Sequence, residues 1–259
     1  MDYRQDVEKF LIYEEYLIAA TVDAYSALPH PLAYAASFSH ISRELDLINL
    51  GNCSVANASL PLSDTKAKLP NPSINLALKY VVLGRGTQNY SCPALNASSD
   101  LKATIKPIAT GAAATLFDAS CLASRSGALL HQLPAMLSNV PLGSISFIAA
   151  LLGQGTKSTD LIIGQHYFNA GGDPVFDLSL SGSDSWIVAK KDAAVSAPVT
   201  EPSDNQSGNV PWLKLGHKDG CNIQEVYRVV TSQGDPPSMC TGQNETFQVA
   251  YAAEYWFYG

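Results

Sequence analysis

The sequence is poor in charge and contains no segment typical of a nucleic-acid-binding or membrane-spanning protein. Charged residues make up 15 % of the 259 residues, and the net charge is −7. In a typical soluble domain about a quarter of the residues are charged. Because no run of lysine or arginine occurs, neither nucleic acid nor an acidic membrane surface is an expected partner. The longest largely apolar run, Ile145 to Leu152, is too short for a membrane span.

Motifs of cofactor-binding and hydrolytic enzymes are also missing. Gly84-Arg85-Gly86 follows a β-branched run and resembles the start of a dinucleotide-binding turn. However, Asn89 stands where the third glycine is required, and Cys92-Pro93 follows instead of a helix start. The sequence contains no Gly-Lys-Ser/Thr phosphate loop and no Gly-x-Ser-x-Gly nucleophile elbow. We therefore expect no cofactor.

The cysteines and the glycosylation acceptors indicate the compartment. The five cysteines form no Cys-x-x-Cys pair and have no histidine at zinc-ligand spacing, so no metal site is expected. Six Asn-x-Ser/Thr acceptors occur where composition alone gives about two, and they lie at Asn52, Asn57, Asn89, Asn96, Asn205 and Asn244. This excess favours a secreted protein with N-glycans and disulfides over a protein with reduced, buried thiols.

The N-terminal residues Met1 to Asp6 do not resemble a signal peptide, since no positive region precedes an apolar core. Either the chain is a mature form from which a signal has been removed, or its glycosylation acceptors are never used. We favour the first alternative, which predicts the secretory pathway or the extracellular space.

The first fifty residues differ in pattern from the rest. Apolar residues recur at helical spacing over Asp6 to Tyr25, and Leu32 to Leu50 has a second apolar stripe. These patterns predict a helical extension over residues 1–50, which either packs against the core or forms the interface of a homodimer. Residues 51–259 are then a single β-rich domain that begins with a polar connector, Gly51 to Pro72.

Short apolar runs separated by turn residues fill this second region. They lie at Asn75–Leu83, Gly111–Phe117, Leu161–Phe168, Val175–Ser181, Trp186–Ala189, Trp212–Leu215, Glu225–Val230 and Phe247–Tyr258. Such spacing predicts a mainly β fold, an antiparallel β-sandwich or barrel. The leucine-rich segment Leu129 to Leu152 predicts short helices at one end of it.

Seven phrases in this region occur together and in order, and they resemble one family. They are Leu78–Cys92, Ala114–Cys121, Gly164–Phe168, Val175–Leu178, Trp212–Leu215, Glu225–Val229 and Ala250–Gly259. The chain resembles a fungal secreted family of largely unknown function, whose members are often labelled malate dehydrogenase. The missing dinucleotide fingerprint argues against that label. The resemblance implies that Cys53, Cys92, Cys121 and Cys240 form disulfides, with Cys92–Cys121 and Cys53–Cys240 as the preferred pairing, and that Cys221 is left over.

Within this family the chain resembles glycosylated enzymes of tropolone sesquiterpenoid biosynthesis that have an N-terminal extension. The resemblance implies an intermolecular hetero-Diels–Alder reaction between a tropolone ortho-quinone methide and a humulene-type alkene. The expected partners are therefore small hydrophobic substrates. The alternative is a secreted glycoprotein that binds a hydrophobic ligand or a cell-wall component without turnover.

A cycloaddition site needs an apolar pocket and a donor that polarises the quinone-methide oxygen. Polar residues in strand-like apolar surroundings are the candidates for catalysis: His166, Lys190, Arg85 and Asp177. Lys190 and Lys191 follow one another, and one of them could point inward. Aromatic side chains that could stack on a planar tropolone are Trp186, Trp212, Tyr167, Tyr227, Tyr255 and Trp256. Each of these residues could instead have a purely structural role.

Overall fold

A computed structural model describes residues 53–62, 68–92, 105–146, 149, 161–198 and 208–259. The predicted N-terminal helices, Asp6 to Tyr25 and Leu32 to Leu50, lie outside these residues. So do three of the six glycosylation acceptors, Asn52, Asn96 and Asn205.

Eight antiparallel strands form a closed barrel in which each strand pairs with the next, and the last strand pairs with the first. The strands are β1 (Leu78–Ser91), β2 (Ile108–Asp118), β3 (Ile162–Phe168), β4 (Pro174–Asp177), β5 (Trp186–Val195), β6 (Trp212–Cys221), β7 (Glu225–Gln233) and β8 (Thr246–Tyr258). Closure pairs both edges of the sheet, which would otherwise be exposed to pairing with other chains. The predicted mainly β architecture is confirmed, and of the two predicted forms the structure shows the barrel.

Side chains on one face of every strand fill the barrel interior, because successive residues of a strand point to opposite faces. The interior side chains include Val82, Leu116, Phe176, Ile187, Val226, Tyr255 and Phe257. One end of the barrel is filled by Leu178, which follows β4, and by Ile223 from the β6–β7 connection. At the other end Val210, from the β5–β6 connection, enters the core.

Short helices follow β2 and cover part of the outer barrel wall. They are α1 (Ser120–Arg125), α2 (Gly127–Leu130) and α3 (Leu133–Leu137), and residues 142–146 are also helical. Helix α3 packs against β1, β7 and β8. The predicted short helices are therefore present.

Next to α2, His131 Nδ1 lies 2.7 Å from Oε1 of the fully buried Glu254, and Trp256 Nε1 donates to the other carboxyl oxygen.

Two disulfides join segments that lie outside the strands, and their pairing differs from the preferred pairing of the sequence analysis. The four predicted cysteines are bonded, but the bonds are Cys53–Cys121 and Cys92–Cys240. Cys92 follows β1 and Cys240 lies in the β7–β8 connection, and these strands are neighbours in the closed barrel. The predicted pairing was wrong because the sequence does not show that β8 returns to β1. Cys221 is free and exposed, as expected.

Candidate functional site

Five polar side chains lie within or border the otherwise apolar barrel interior. The interior cluster consists of Gln88, His166, Arg228, Tyr251 and Tyr255, all of which are buried. Strand register relates its members, since residues paired across a ladder point to the same face. Tyr251 pairs with Gly86, Gly86 with Ala114, and Ala114 with His166. Only two very small residues thus separate the phenol from the imidazole along this wall.

His166 is held in one orientation and one tautomer. Its ring stacks on Phe176 with the ring centroids 4.1 Å apart and an angle of 7° between the planes. Nδ1 lies 2.8 Å from the Val175 carbonyl oxygen, so Nδ1 donates and a neutral ring leaves Nε2 as an acceptor. Burial lowers the pKa of His166 to about 4. The imidazole is therefore neutral at pH 7, and Nε2 has no hydrogen-bond partner in the described part of the chain.

Tyr251 and Tyr255 place a pair of hydroxyl groups beside this imidazole. Their hydroxyl oxygens lie 2.9 Å apart. The Tyr255 ring centroid is 5.2 Å from that of Phe176 and 5.9 Å from that of His166. Burial raises the pKa of both phenols above the ordinary tyrosine value. Both groups consequently keep their protons at neutral pH, and because one hydroxyl donates to the other, one proton of the pair is left for a hydrogen bond to a ligand.

Arg228 brings a positive charge into the same region. It pairs with Tyr255 across the β7–β8 ladder, and its Nε and Nη2 donate to the Pro211 carbonyl oxygen at 3.2 and 2.9 Å. None of the ion pairs formed by the described residues includes Arg228. On strand β1, which β8 separates from β7, Gln88 Nε2 is buried and has no well-formed hydrogen bond among these residues.

The strand pairing has an opening next to His166. β2 pairs with β3 only from Ala114 to Phe117, and β4 pairs with β5 only from Trp186 to Val188. Among the described residues, earlier positions of β2 and later positions of β5 have no strand partner on this side. Phe168 follows His166 on the same face of β3 and is 36 % exposed. The opening is thus a gap in the strand pairing beside His166, in which the Phe168 side chain lies against Gly111 of β2.

Of the ten predicted catalytic and substrate-binding residues, the structure brings two together inside the barrel, His166 and Tyr255. Lys190 pairs with Gly216, which alternates with the core residue Leu215, so Lys190 lies on the outer face. Lys191 pairs with Leu215 itself and is the lysine that faces the opening. It is exposed.

Arg85 and Asp177 have structural surroundings on the outside of the barrel. Arg85 donates to the carbonyl oxygens of Leu137 and Val140 at 2.9 and 3.1 Å, which holds the chain after α3 against β1. Its Nη1 donates to the Gly86 carbonyl oxygen at 2.6 Å. Asp177 accepts from the Ser179 amide at 2.9 Å and so closes the turn after β4. Neither residue joins the interior cluster.

The other predicted aromatic residues also lie on the outer face. Trp186 and Tyr167 are more than one third exposed. Trp212, Tyr227 and Trp256 are buried, but they alternate with interior residues along β6, β7 and β8. The Tyr227 hydroxyl donates to the Pro70 carbonyl oxygen at 2.8 Å, which fixes the segment before β1. These residues therefore do not form the predicted stacking surface.

Sequence reasoning missed Arg228, Tyr251 and Gln88. Alternation does place Tyr251 on the same face as Tyr255, and Arg228 on the same face as Val226. That signal was present in the sequence. What it did not reveal was which face of β7 is the inner one, because both faces of this strand are buried throughout.

The three glycosylation acceptors within the described residues differ in exposure. Asn57 and Asn244 are exposed in connections, whereas Asn89 is half-buried on β1, where its Oδ1 accepts from the Thr87 hydroxyl. Among the described residues, no helix is long and apolar enough to cross a membrane. The same residues hold no group of three or more potential metal ligands from His, Cys, Asp and Glu.

Comparison with known proteins identifies a family without an assigned activity. No curated protein and no solved structure matches the chain. A family model described as "protein of unknown function" matches residues 72–259, which include the whole barrel and the interior cluster. Since this match covers well over half of the chain, the protein belongs to the DUF3455 family.

Proposed function

We propose that this protein is a cofactor-independent pericyclase of the secretory pathway or the extracellular space. In this proposal it catalyses an intermolecular hetero-Diels–Alder reaction between a tropolone ortho-quinone methide and a humulene-type alkene in fungal natural-product biosynthesis. The observation that carries the proposal is the arrangement of His166 and Tyr255. A fixed acceptor and a fixed donor lie side by side on the apolar surface of Phe176.

The reaction needs orientation more than chemical groups. Four π electrons of the quinone methide and two of the alkene form one C–C and one C–O bond, and no atom leaves. Holding the two reactants in the correct relative orientation can lower the activation free energy by up to about 7–11 kcal/mol. The stacked rings of His166 and Phe176 are buried in the barrel interior, and a conjugated seven-membered ring admitted there would pack well against such aromatic side chains.

The donors favour the polar form of the diene. A hydrogen bond from Tyr255 or Tyr251 to the quinone-methide oxygen withdraws electron density from the conjugated system. Such a bond is stronger inside an apolar barrel than in water. Because burial keeps both phenols protonated, this polarisation is available over the whole neutral pH range.

His166 has a role in forming the quinone methide from an alcohol precursor. Nε2 accepts the proton of the ring hydroxyl while the side-chain hydroxyl departs. The departing hydroxide takes up that proton as water, so the step balances and leaves His166 neutral. Substrates enter by the opening above the β3–β4 hairpin, past Phe168.

The test is product formation from two added substrates. The protein is incubated with a tropolone quinone-methide precursor and a humulene alcohol, and the adducts are separated by chiral chromatography. We expect one dominant stereoisomer at a rate well above that in buffer, and a loss of about 10- to 100-fold in the Tyr255→Phe variant. Tyr227→Phe removes a phenol outside the barrel and is the matched control. Adduct that forms no faster and no more selectively than in buffer contradicts the proposal.

A second candidate is a secreted glycoprotein that binds a hydrophobic ligand or a cell-wall component without turnover. It is favoured by the apolar residues at the strand ends near the opening, where Ile108 is 54 % and Phe168 36 % exposed, since exposed apolar surface often marks a binding site. Tight binding of the tropolone with no acceleration of the reaction would support this candidate instead.

A further inference from the structure

We infer that Arg228 and Gln88 form an oxyanion site inside the barrel, which binds a planar conjugated molecule as its anion. The inference deepens the proposed function by naming the charge that the ring oxygen carries once Nε2 of His166 has accepted its proton. It rests on the proposed function only in the choice of tropolone as the test ligand. The site itself rests on two independent observations of buried donors.

The first observation is a buried cation without an ion-pair partner. Arg228 is only 9 % exposed, and none of the carboxylates in the described residues forms an ion pair with it. An arginine is always positively charged, and a buried charge is costly unless it is paired. The Pro211 carbonyl oxygen occupies Nε and one donor of Nη2, and a further hydrogen bond from the guanidinium to the Tyr255 hydroxyl lowers the pKa of that phenol. The guanidinium therefore retains donors, and a full charge, for a ligand.

The second observation is the unused amide of Gln88. This side chain is 8 % exposed, and Nε2 makes no well-formed hydrogen bond in the part of the chain that the structure describes, although the amide lies near enough to the Tyr251 hydroxyl to lower the pKa of that phenol. Native proteins rarely bury such a donor, because each one costs about 1–3 kcal/mol when left unpaired. Gln88 pairs with Ala112, a core residue of β2, so its side chain is on the inner face. A ligand oxygen would satisfy it.

Arg228 is also electrostatically central to this region. Its charge opposes the burial-induced rise in the pKa of Tyr90, Tyr251, Tyr255 and Asp235, and it adds to the lowering of the pKa of His166. Asp235 is the carboxyl group among them and compensates the charge at longer range. It is half-buried in the β7–β8 connection and forms no ion pair with Arg228.

The ligand that fits these observations has its charge on an oxygen of a flat ring. Arginine and amide donors recognise planar oxygen groups well. The flat surface of His166 and Phe176 lies next to Tyr255, which Arg228 faces across the ladder. A ring on this surface can direct its oxyanion towards Arg228. Lys191, exposed on the inner side of β5, is a cation on the route inward.

The test compares an ionisable ligand with a neutral analogue. Binding of tropolone and of its O-methyl ether is measured by calorimetry at a pH where free tropolone is ionised. We expect the anion to bind at least about tenfold more tightly than the ether. Arg228→Met should weaken tropolonate binding by about 10- to 100-fold, and Gln88→Met by about threefold to tenfold, with little change for the ether. Lys190→Met removes an exposed outer cation and is the matched control.

A second readout needs no variant. The absorption spectrum of bound tropolone is recorded against pH, and we expect the ligand to ionise about one pH unit lower when bound to the wild-type protein than when free. Equal affinity for tropolone and its ether, or an unchanged ionisation of the bound ligand, would overturn the inference. Neither readout measures turnover, so the two claims can fail separately. If the anion binds more tightly but no adduct forms, only the proposed function is wrong. If the adduct forms but the anion is not preferred, only this inference is wrong.

Discussion

His166 and Phe176 stack face to face inside the barrel, with 4.1 Å between the ring centroids and 7° between the planes. The stack, together with the bond to the Val175 carbonyl oxygen, leaves the imidazole one orientation. Protonation would place a second positive charge near Arg228 in a buried region. Burial is the main reason why the pKa of His166 falls to about 4. The acceptor that we assign to catalysis is therefore linked to the stability of the fold.

The first prediction concerns stability against pH. The unfolded chain has a histidine pKa near 6.5, whereas the folded pKa is about 4. Between these values the unfolded state binds more protons, so the free energy of unfolding falls as the pH falls from about 6.5 to 4. This residue contributes at most about 1.4 kcal/mol per pH unit. In the variant His166→Phe, which keeps an aromatic ring on Phe176, the slope of unfolding free energy against pH should decrease accordingly. Chemical denaturation from pH 4 to 7 measures it, and an unchanged slope would show that His166 titrates normally.

The second prediction separates the inner from the outer phenols. Tyr255→Phe and Tyr251→Phe each break the hydroxyl pair, and we expect each to slow the reaction by about 10- to 100-fold. The cost in unfolding free energy should be about 1 kcal/mol. Tyr227→Phe breaks the bond to Pro70 and should have a similar cost in stability with a normal rate. The measurements are initial rates and urea denaturation, and equal rate losses in all three variants would refute the assignment.

The strands could be predicted from the sequence because each is a short apolar run between turn residues. All eight predicted runs overlap a strand of the barrel. Alternation also holds along β8, since Tyr251, Ala253, Tyr255 and Phe257 line the interior while Glu254, Trp256 and Tyr258 do not. Local pattern was sufficient here because alternation is a property of one strand.

The site could be predicted only in part, because it depends on which strands meet. Lys191, and not Lys190, faces inward because Lys191 pairs with the core residue Leu215 of β6. Arg228 is interior only because β7 pairs with β8 so that it faces Tyr255. Gly84-Arg85-Gly86 resembles the start of a turn, whereas Arg85 lies within β1 and its guanidinium donates to backbone carbonyl groups. None of these relationships is contained in a single strand.

The third prediction follows from that position of Arg85. Its guanidinium donates to the carbonyl oxygens of Leu137 at the end of α3, of Val140 and of Gly86, and of these the Leu137 oxygen also accepts from the Val140 amide. Arg85→Met removes the guanidinium donor from all three oxygens, and we expect a loss of about 1–3 kcal/mol in the free energy of unfolding. The affinity of the folded protein for tropolone should remain within about twofold, because Arg85 lies outside the barrel. Denaturation and calorimetry test this. A selective loss of binding without destabilisation would instead place Arg85 at the ligand.

The last prediction concerns the two disulfides. Cys92–Cys240 joins positions 148 residues apart, and Cys53–Cys121 joins positions 68 residues apart. Replacing both cysteines of either bond by serine should lower the free energy of unfolding by about 2–5 kcal/mol, because the unfolded chain regains the entropy that the closed loop removes. Cys221→Ser, at the exposed free cysteine, is the control and should change it by less than about 0.5 kcal/mol. Peptide mapping of the unreduced protein should yield peptides that join Cys53 to Cys121 and Cys92 to Cys240. A peptide that joins Cys92 to Cys121 would contradict the strand order from which the site was built, since Cys92–Cys240 links the β1 and β8 sides of the closed barrel.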